Sequence, residues 1–240
     1  MIRDTYLSSI TELLSKICDS QGEKLSAAAK AVSEVILNDG IIYIFGCGHS
    51  HLIALDCFFR AGGLANVSAM LDTDLMLHNG AAKSSKMEKM SGIAEAILDR
   101  YCPTDKDLLI TVSTSGKNAV PVEMAGAATK RGIKNIAVAS SAYFSDKKDM
   151  PLLYECADMY IDNCVPKGDA VIDVTGAKTK MGSLSTAASS YILGTILMEG
   201  AQIAGNAGAV LPVYMSGNVE GGKEFNEELI KSYLPRIKHL

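Results

Sequence analysis

Two short stretches contain the residue types from which an anion site is built. Gly46, Cys47, Gly48, His49, Ser50 and His51 follow the apolar run that ends at Phe45, and Ser113, Thr114, Ser115, Gly116, Lys117 and Asn118 follow the run Leu108–Val112. Small residues after a strand let the main chain approach a ligand, and a following helix start turns its free amides toward negative charge. In the first stretch Gly48 and Ser50 are the contact candidates, with Ser50 placed to cap a helix beginning near Leu52. The second stretch offers three hydroxyl donors, Ser113, Thr114 and Ser115, with Asn118 either touching ligand or capping the next helix. Lys117 adds a point charge there or faces water. Gly46 and Gly48 begin a dinucleotide fingerprint, but Ser50 and His51 stand where its third glycine belongs, and no Walker A string occurs. The expectation is a phosphate cradle without a cofactor, set against a plain pair of capped strand-to-helix turns.

Proton transfer needs groups that change charge near neutral pH or a carboxylate in a shielded position. His49 is the first acid–base candidate, and Glu88 is the preferred carboxylate of a stretch that also holds Asp72, Asp74, His78, Lys83 and Lys86. The competing reading of Glu88 is a solvent-facing glutamate on an amphipathic helix beside Lys89. A third helix start, Lys178 to Thr186, brings Lys180, Ser183 and Ser185 as weaker anion contacts or as simple caps. His49, His51 and Cys47 fall short of the three or four ligands a zinc site uses, so no metal is expected.

These loops need strands and helices to hold them. Helical spacing predicts two N-terminal helices within residues 1–38, interrupted at Gly22 and packing on the core or on a neighbouring subunit. Strands are expected at Ile41–Phe45, Asn66–Met70, Leu108–Val112 and Ile136–Ala139, with weaker ones at Met159–Ile161 and Val171–Val174. Helices are expected at Ser85–Tyr101, Val120–Arg131, Ser183–Ala204 and Lys223–Tyr233. The alternation indicates βαβ units around a mainly parallel sheet, with ligands gathering beyond the strands' carboxyl ends. No linker or repeat divides the chain, so residues 1–240 read as one domain.

Composition narrows the function classes. Among 240 residues, 27 acidic and 23 basic side chains give a formal charge of -4, which argues against a nucleic-acid surface. The six cysteines form no CxxC pair, and no secretory leader or membrane-length apolar run is evident, so a cytoplasmic protein with reduced thiols is expected.

The segments GCGHSHLIALDCFFRAGG from Gly46, VSTSGKN from Val112 and GSLSTAAS from Gly182 resemble the sugar isomerase, or SIS, domain family. With YMSGNVEGGKEFN from Tyr214, the whole chain resembles the small bacterial UPF0309 group. The resemblance implies an α/β fold, a flavodoxin-like three-layer αβα sandwich, here with an N-terminal helical extension. It also implies phosphosugar binding, usually by dimers or tetramers, with phosphate held by Ser50, Ser113, Thr114, Ser115 and Asn118. The chain departs from the related phosphoheptose isomerases in two places. The region around Phe59 and Arg60 supplies no carboxylate where they carry a catalytic glutamate, and Ser183–Ala204 contains no histidine. No DNA-binding segment precedes the SIS region, which argues against an intact helix-turn-helix regulator.

The expected function is phosphosugar binding, with sugar-phosphate isomerisation or a related proton transfer by His49 or Glu88 as the enzymatic reading. A non-catalytic phosphosugar sensor is the alternative, and a structural or assembly role the lesser one.

Overall fold

The computed structural model describes residues 1–146 and 150–240. Its main sheet has five parallel strands, β1 (Ile42–Gly46), β2 (Val67–Met70), β3 (Leu108–Val112), β4 (Lys134–Ala139) and β5 (Met159–Asp162), in the order β2-β1-β3-β4-β5. Every residue of β1, β2 and β3 is buried, which is why these strands read as unbroken apolar runs instead of alternating ones. The chain leaves β1 toward β2 on one side and returns to β3 on the other. This makes the β1/β3 border the switch point at which flavodoxin-like sheets open a crevice. Gly46 pairs with Val112, so the two candidate loops leave the sheet side by side.

One face is covered by α1 (Ile2–Leu37), α2 (His51–Cys57) and α7 (Ser185–Asn206), whose Ile17, Leu25, Val32, Ile53, Ile192 and Ile196 pack on Ile42, Ile44 and Ile110. The other face is covered by α4 (Ala94–Tyr101) and α5 (Ala119–Lys130), where Leu98 and Met124 meet Tyr43, Phe45 and Leu109. Short α3 (Ala81–Met87) and α6 (Leu153–Cys156) and the late α8 (Gly222–Tyr233) complete the helices. Two further strands, β6 (Ala170–Ile172) and β7 (Met181–Ser183), form a separate antiparallel pair. No helix among the described residues is long and apolar enough to cross a membrane.

Three expectations are corrected. Residues 2–37 form one 36-residue helix, not two. An interior glycine costs about 1 kcal/mol against alanine, whereas burying one leucine, isoleucine or valine returns about 1.5–3 kcal/mol. Leu13, Ile17, Leu25, Val32 and Val35 are all buried, so Gly22 is outweighed. The helix expected over Ser85–Tyr101 is divided into α3 and α4, with Gly92 at φ 93° in the gap. The strand expected at Val171–Val174 lies in the β6–β7 hairpin, outside the main sheet. That hairpin is fastened to the start of α1, where the Tyr6 hydroxyl donates to the Ser183 carbonyl at 2.8 Å.

Candidate functional site

The loop after β1 is a single turn of 3-10 helix, Gly48–Ser50, running directly into α2. Two of its main-chain donors are already used: the Gly48 N–H donates to the Leu75 carbonyl at 2.8 Å and the Ser50 N–H to the Cys47 carbonyl at 3.0 Å. Gly48 therefore shapes the turn, with φ 56°, and has no main-chain proton to spare for a ligand. Ser50 occupies the cap position of α2 in helical conformation and makes no side-chain capping bond. Its hydroxyl instead faces a small crevice, together with the exposed His49. His51 is turned inward and buried, its Nδ1 2.7 Å from the Gly48 carbonyl. A carbonyl only accepts, so Nδ1 carries the proton in the neutral ring. The His78 ring meets it edge to face, with centroids 5.5 Å apart.

The loop after β3 is held from beneath. The Ser113 N–H donates to the Val138 carbonyl at 3.0 Å, and the Thr114 carbonyl accepts from the Ser140 N–H at 2.9 Å. Asn163 Nδ2 approaches Thr114 Oγ1 at 3.4 Å, which occupies a lone pair and leaves the hydroxyl proton free to donate. Gly116 turns the chain at φ 59°, and a Cβ there would stand 3.2 Å from that of Ala139. Lys117 points outward to Asp146 at 3.2 Å. Asn118 takes the extended conformation of a cap before α5 but makes no side-chain capping bond. Its side chain lies near enough to the Glu88 carboxylate to favour that group's charged form.

Glu88 thus departs from the solvent-facing reading. It follows the last turn of α3, its carbonyl accepts from the Val120 N–H at 3.1 Å, and its side chain is half-buried. Burial raises its pKa above the usual carboxylate value, against the opposing pull of Asn118 and Lys89. Cys47 feels both this carboxylate and Asp72, but burial is the larger reason its thiol is pushed up. A buried, protonated thiol is a poor nucleophile. Among the described residues, no three His, Cys, Asp or Glu side chains converge as a metal-binding group.

The crevice brings together parts of three distant segments: His49 and Ser50 from the first loop, Thr114 from the second, and Ser185, Thr186 and Ser189 from the first turns of α7, with Ile53 at its floor. Of the weaker candidates, only Ser185 lines it. Lys180 stands on the β6–β7 hairpin 3.8 Å from Asp173, and Ser183 is exposed on β7 with its carbonyl tied to Tyr6. Thr186 and Ser189 were not singled out from the sequence. Their signal was the density of hydroxyls at the start of a long apolar helix. Also missed was Asp56 on α2, which pairs with Arg60 and accepts from the Ser190 hydroxyl at 3.1 Å. It is the carboxylate of the helix that follows the first glycine turn, one turn beyond Ile53.

Comparison with known proteins adds the family. Residues 5–140, more than half the chain, match the SIS domain. Over 238 residues the chain is 39% identical to a UPF0309 protein of Geobacillus thermodenitrificans, covering 98% of this chain and 96% of that one. A UPF0309 protein of Brucella anthropi is 38% identical over 241 residues, with 100% and 99% coverage. Among solved structures, phosphoheptose isomerase GmhA from Neisseria gonorrhoeae superposes with a TM-score of 0.50 at 16% identity, covering 84% of this chain and 96% of its own. The sugar isomerase domain of an RpiR transcription factor from Sphaerobacter thermophilus gives 0.51 at 16% identity, with 97% and 98% coverage. Vibrio vulnificus NanR, complexed with ManNAc-6P, gives 0.50 at 14% identity, with 100% and 71% coverage. At such low identities these structures speak for the fold, while the curated relatives span the chain end to end: it belongs to the SIS-domain family and, within it, to the UPF0309 group.

Proposed function

We propose that this chain binds a phosphorylated sugar at the carboxyl ends of β1 and β3. The observation that carries the reading is that the first loop, Thr114 of the second and the start of α7 meet at the sheet's switch point, around a hydroxyl-lined crevice of about 10 Å³ that a sugar would have to widen or cover from outside. The Ser113–Asn118 loop, at the N-terminus of α5, is the seat for phosphate, and the sugar extends toward His49, Ser50 and α7. Family membership supports the same ligand class, as do structural neighbours that include a phosphoheptose isomerase and a regulator complexed with ManNAc-6P. Calorimetric titration with a panel of sugar phosphates tests it. Saturable binding that is lost in the Ser113→Ala/Ser115→Ala double variant is expected, and no phosphate-dependent binding across the panel would overturn the proposal.

Beyond binding, an enzymatic and a sensory role rest on separate observations. Isomerisation through an enediol-like intermediate needs a group that takes a proton and one that returns it, and burial shifts the pKa of half-buried Glu88 upward, the direction that suits such a base. The sensor reading rests on the crevice itself, where His49 is the one ionisable side chain among the described lining residues. Product formation that disappears in Glu88→Gln or His49→Ala, with binding retained, decides for the enzyme. Binding without turnover decides for the sensor. We further propose that residues 1–240 act as one domain in a homodimer or homotetramer, which a light-scattering mass tests.

A further inference from the structure

The entrance of α7 is the second helix start at the crevice, and its polarity is the reverse of what its hydroxyls suggest. An unoccupied helix N-terminus attracts anions through its free amides and its dipole. Here the Asp169 carboxylate already fills that place: Oδ1 accepts from the Leu184 and Ser185 N–H groups at 2.8 Å each, and Oδ2 accepts from the Ser185 hydroxyl at 2.7 Å. A serine hydroxyl has one proton. With that proton given to Asp169, Ser185 turns only lone pairs to the crevice it lines. Ser185 is therefore an acceptor, suited to a sugar hydroxyl or an ammonium group and unsuited to a phosphate or carboxylate oxygen. On this reading Ser185 meets a neutral or cationic group of the ligand, where its place at a helix start had offered it as a weaker anion contact or a cap. Thr114, on the other side of the crevice, has its lone pair engaged by Asn163 and its proton free.

The charges around the site repeat the asymmetry. No lysine or arginine is among the described residues lining the crevice. Lys117 and Lys167 are both drawn to Asp146, at 3.2 Å and 2.5 Å, and Lys180 is paired with Asp173. The Asp169 carboxylate lies one hydroxyl behind the wall. A ligand atom bonded to Ser185 would sit about 5 Å from it, given ordinary hydrogen-bond lengths.

We propose that Asp169 acts as a specificity-determining residue, making the site select sugars with a single phosphate whose far end is neutral or amino-bearing, and reject those with a second anionic group there. This rests on the phosphosugar reading and names the substrate class within it. At this separation in a partly solvated site, a second anion is disfavoured by about tenfold or more in affinity.

Titration calorimetry on the full chain tests the proposal with four probes: glucose 6-phosphate, glucosamine 6-phosphate, 6-phosphogluconate and fructose 1,6-bisphosphate. The wild-type protein is expected to bind the better of the first two at least about tenfold more tightly than either of the last two. In Asp169→Asn, where the Ser185 proton is released and the charge removed, that ratio is expected to fall toward unity. Equal or tighter binding of 6-phosphogluconate or the bisphosphate by the wild type would overturn the selectivity and leave phosphosugar binding intact. A ratio unchanged in a folded Asp169→Asn protein would overturn the role of Asp169. Binding of none of the four overturns the phosphosugar reading and this inference with it. Should Asp169→Asn not fold, the wild-type ratio is measured again at high ionic strength, where a ratio that does not fall would overturn the role of the Asp169 charge.

Discussion

The Val120 N–H donates to the Glu88 carbonyl at 3.1 Å, fastening the end of α3 to the first turn of α5. That bond brings Glu88 near Asn118, the cap residue of α5. Since burial raises the Glu88 pKa, the folded state holds the glutamate proton more tightly than the unfolded state does. The stability from that proton is fully present below the unfolded value of 4.5 and is lost as pH rises through the folded value. Glu88→Gln, which mimics the protonated form, is therefore expected to melt above the wild type at pH 7 and level with it once pH falls below the carboxylate range. Thermal denaturation at several pH values between 4 and 7.5, roughly spanning that range, reads the difference.

Gly116 sets the shape of the phosphate loop. Gly116→Ala places a Cβ on a residue with φ 59°, facing Ala139 Cβ at 3.2 Å. The left-handed conformation alone costs about 1–2 kcal/mol in a residue with a side chain. Reduced stability in denaturant and a loss of sugar-phosphate affinity larger than that of Lys117→Ala are expected, since Lys117 points away to Asp146.

The long helices α1 and α7 touch where Gly200 faces Val32. A Cβ on Gly200 would overlap Val32 Cγ1 and come within 2.8 Å of the Ala29 carbonyl oxygen. Gly200→Ala is expected to cost about 1–3 kcal/mol by overpacking. Adding Val32→Ala removes the Cγ1 overlap but leaves the residue-32 Cβ at 2.6 Å and the Ala29 carbonyl oxygen at 2.8 Å, so a double-mutant cycle in urea should show at most a partial rescue.

The C-terminal segment is clasped by one hydroxyl. Tyr101 Oη accepts from the Leu71 N–H at 2.6 Å and lies 2.8 Å from His239 Nε2, while Ile237 is buried. Burial and the nearby Arg100 lower the His239 pKa below its ordinary 6.5. The folded state thus prefers neutral His239, and its contribution is complete above the unfolded value and lost as pH falls through the folded one. Stability should decline over that acidic window in the wild type and less so in His239→Gln, as followed by urea denaturation. Tyr101→Phe leaves the half-buried Leu71 N–H without its partner and should cost about 1 kcal/mol at any pH.

The parts legible in the sequence were those specified by neighbours along the chain. Continuous apolar runs located β1, β2, β3 and β4, and the glycine-bearing turns located the two loops at their ends. The features that escaped depend on partners far away. Gly22 looked like a break because its cost is local, while the compensation comes from α1 packing against α7. Glu88 stayed open to a solvent-facing reading because nothing near it in the chain announces Asn118, and Ser185 stayed open to an anion-contact reading because Asp169 lies 16 residues earlier. The hydroxyl pattern pointed to Ser50, Thr114 and Ser185 but not to Thr186 and Ser189, and the partners of the hydroxyls were decided by tertiary neighbours.

At 1.5 Å per residue, the 36 residues of α1 extend about 54 Å. Its far end grips the β6–β7 hairpin through the Tyr6 phenol, and that hairpin leads straight into Leu184 and Ser185. The first two turns of α1 thus share a contact with the segment that enters α7 beside Asp169, and a protease cut or bulky fusion there is expected to loosen the hairpin before it loosens the sheet.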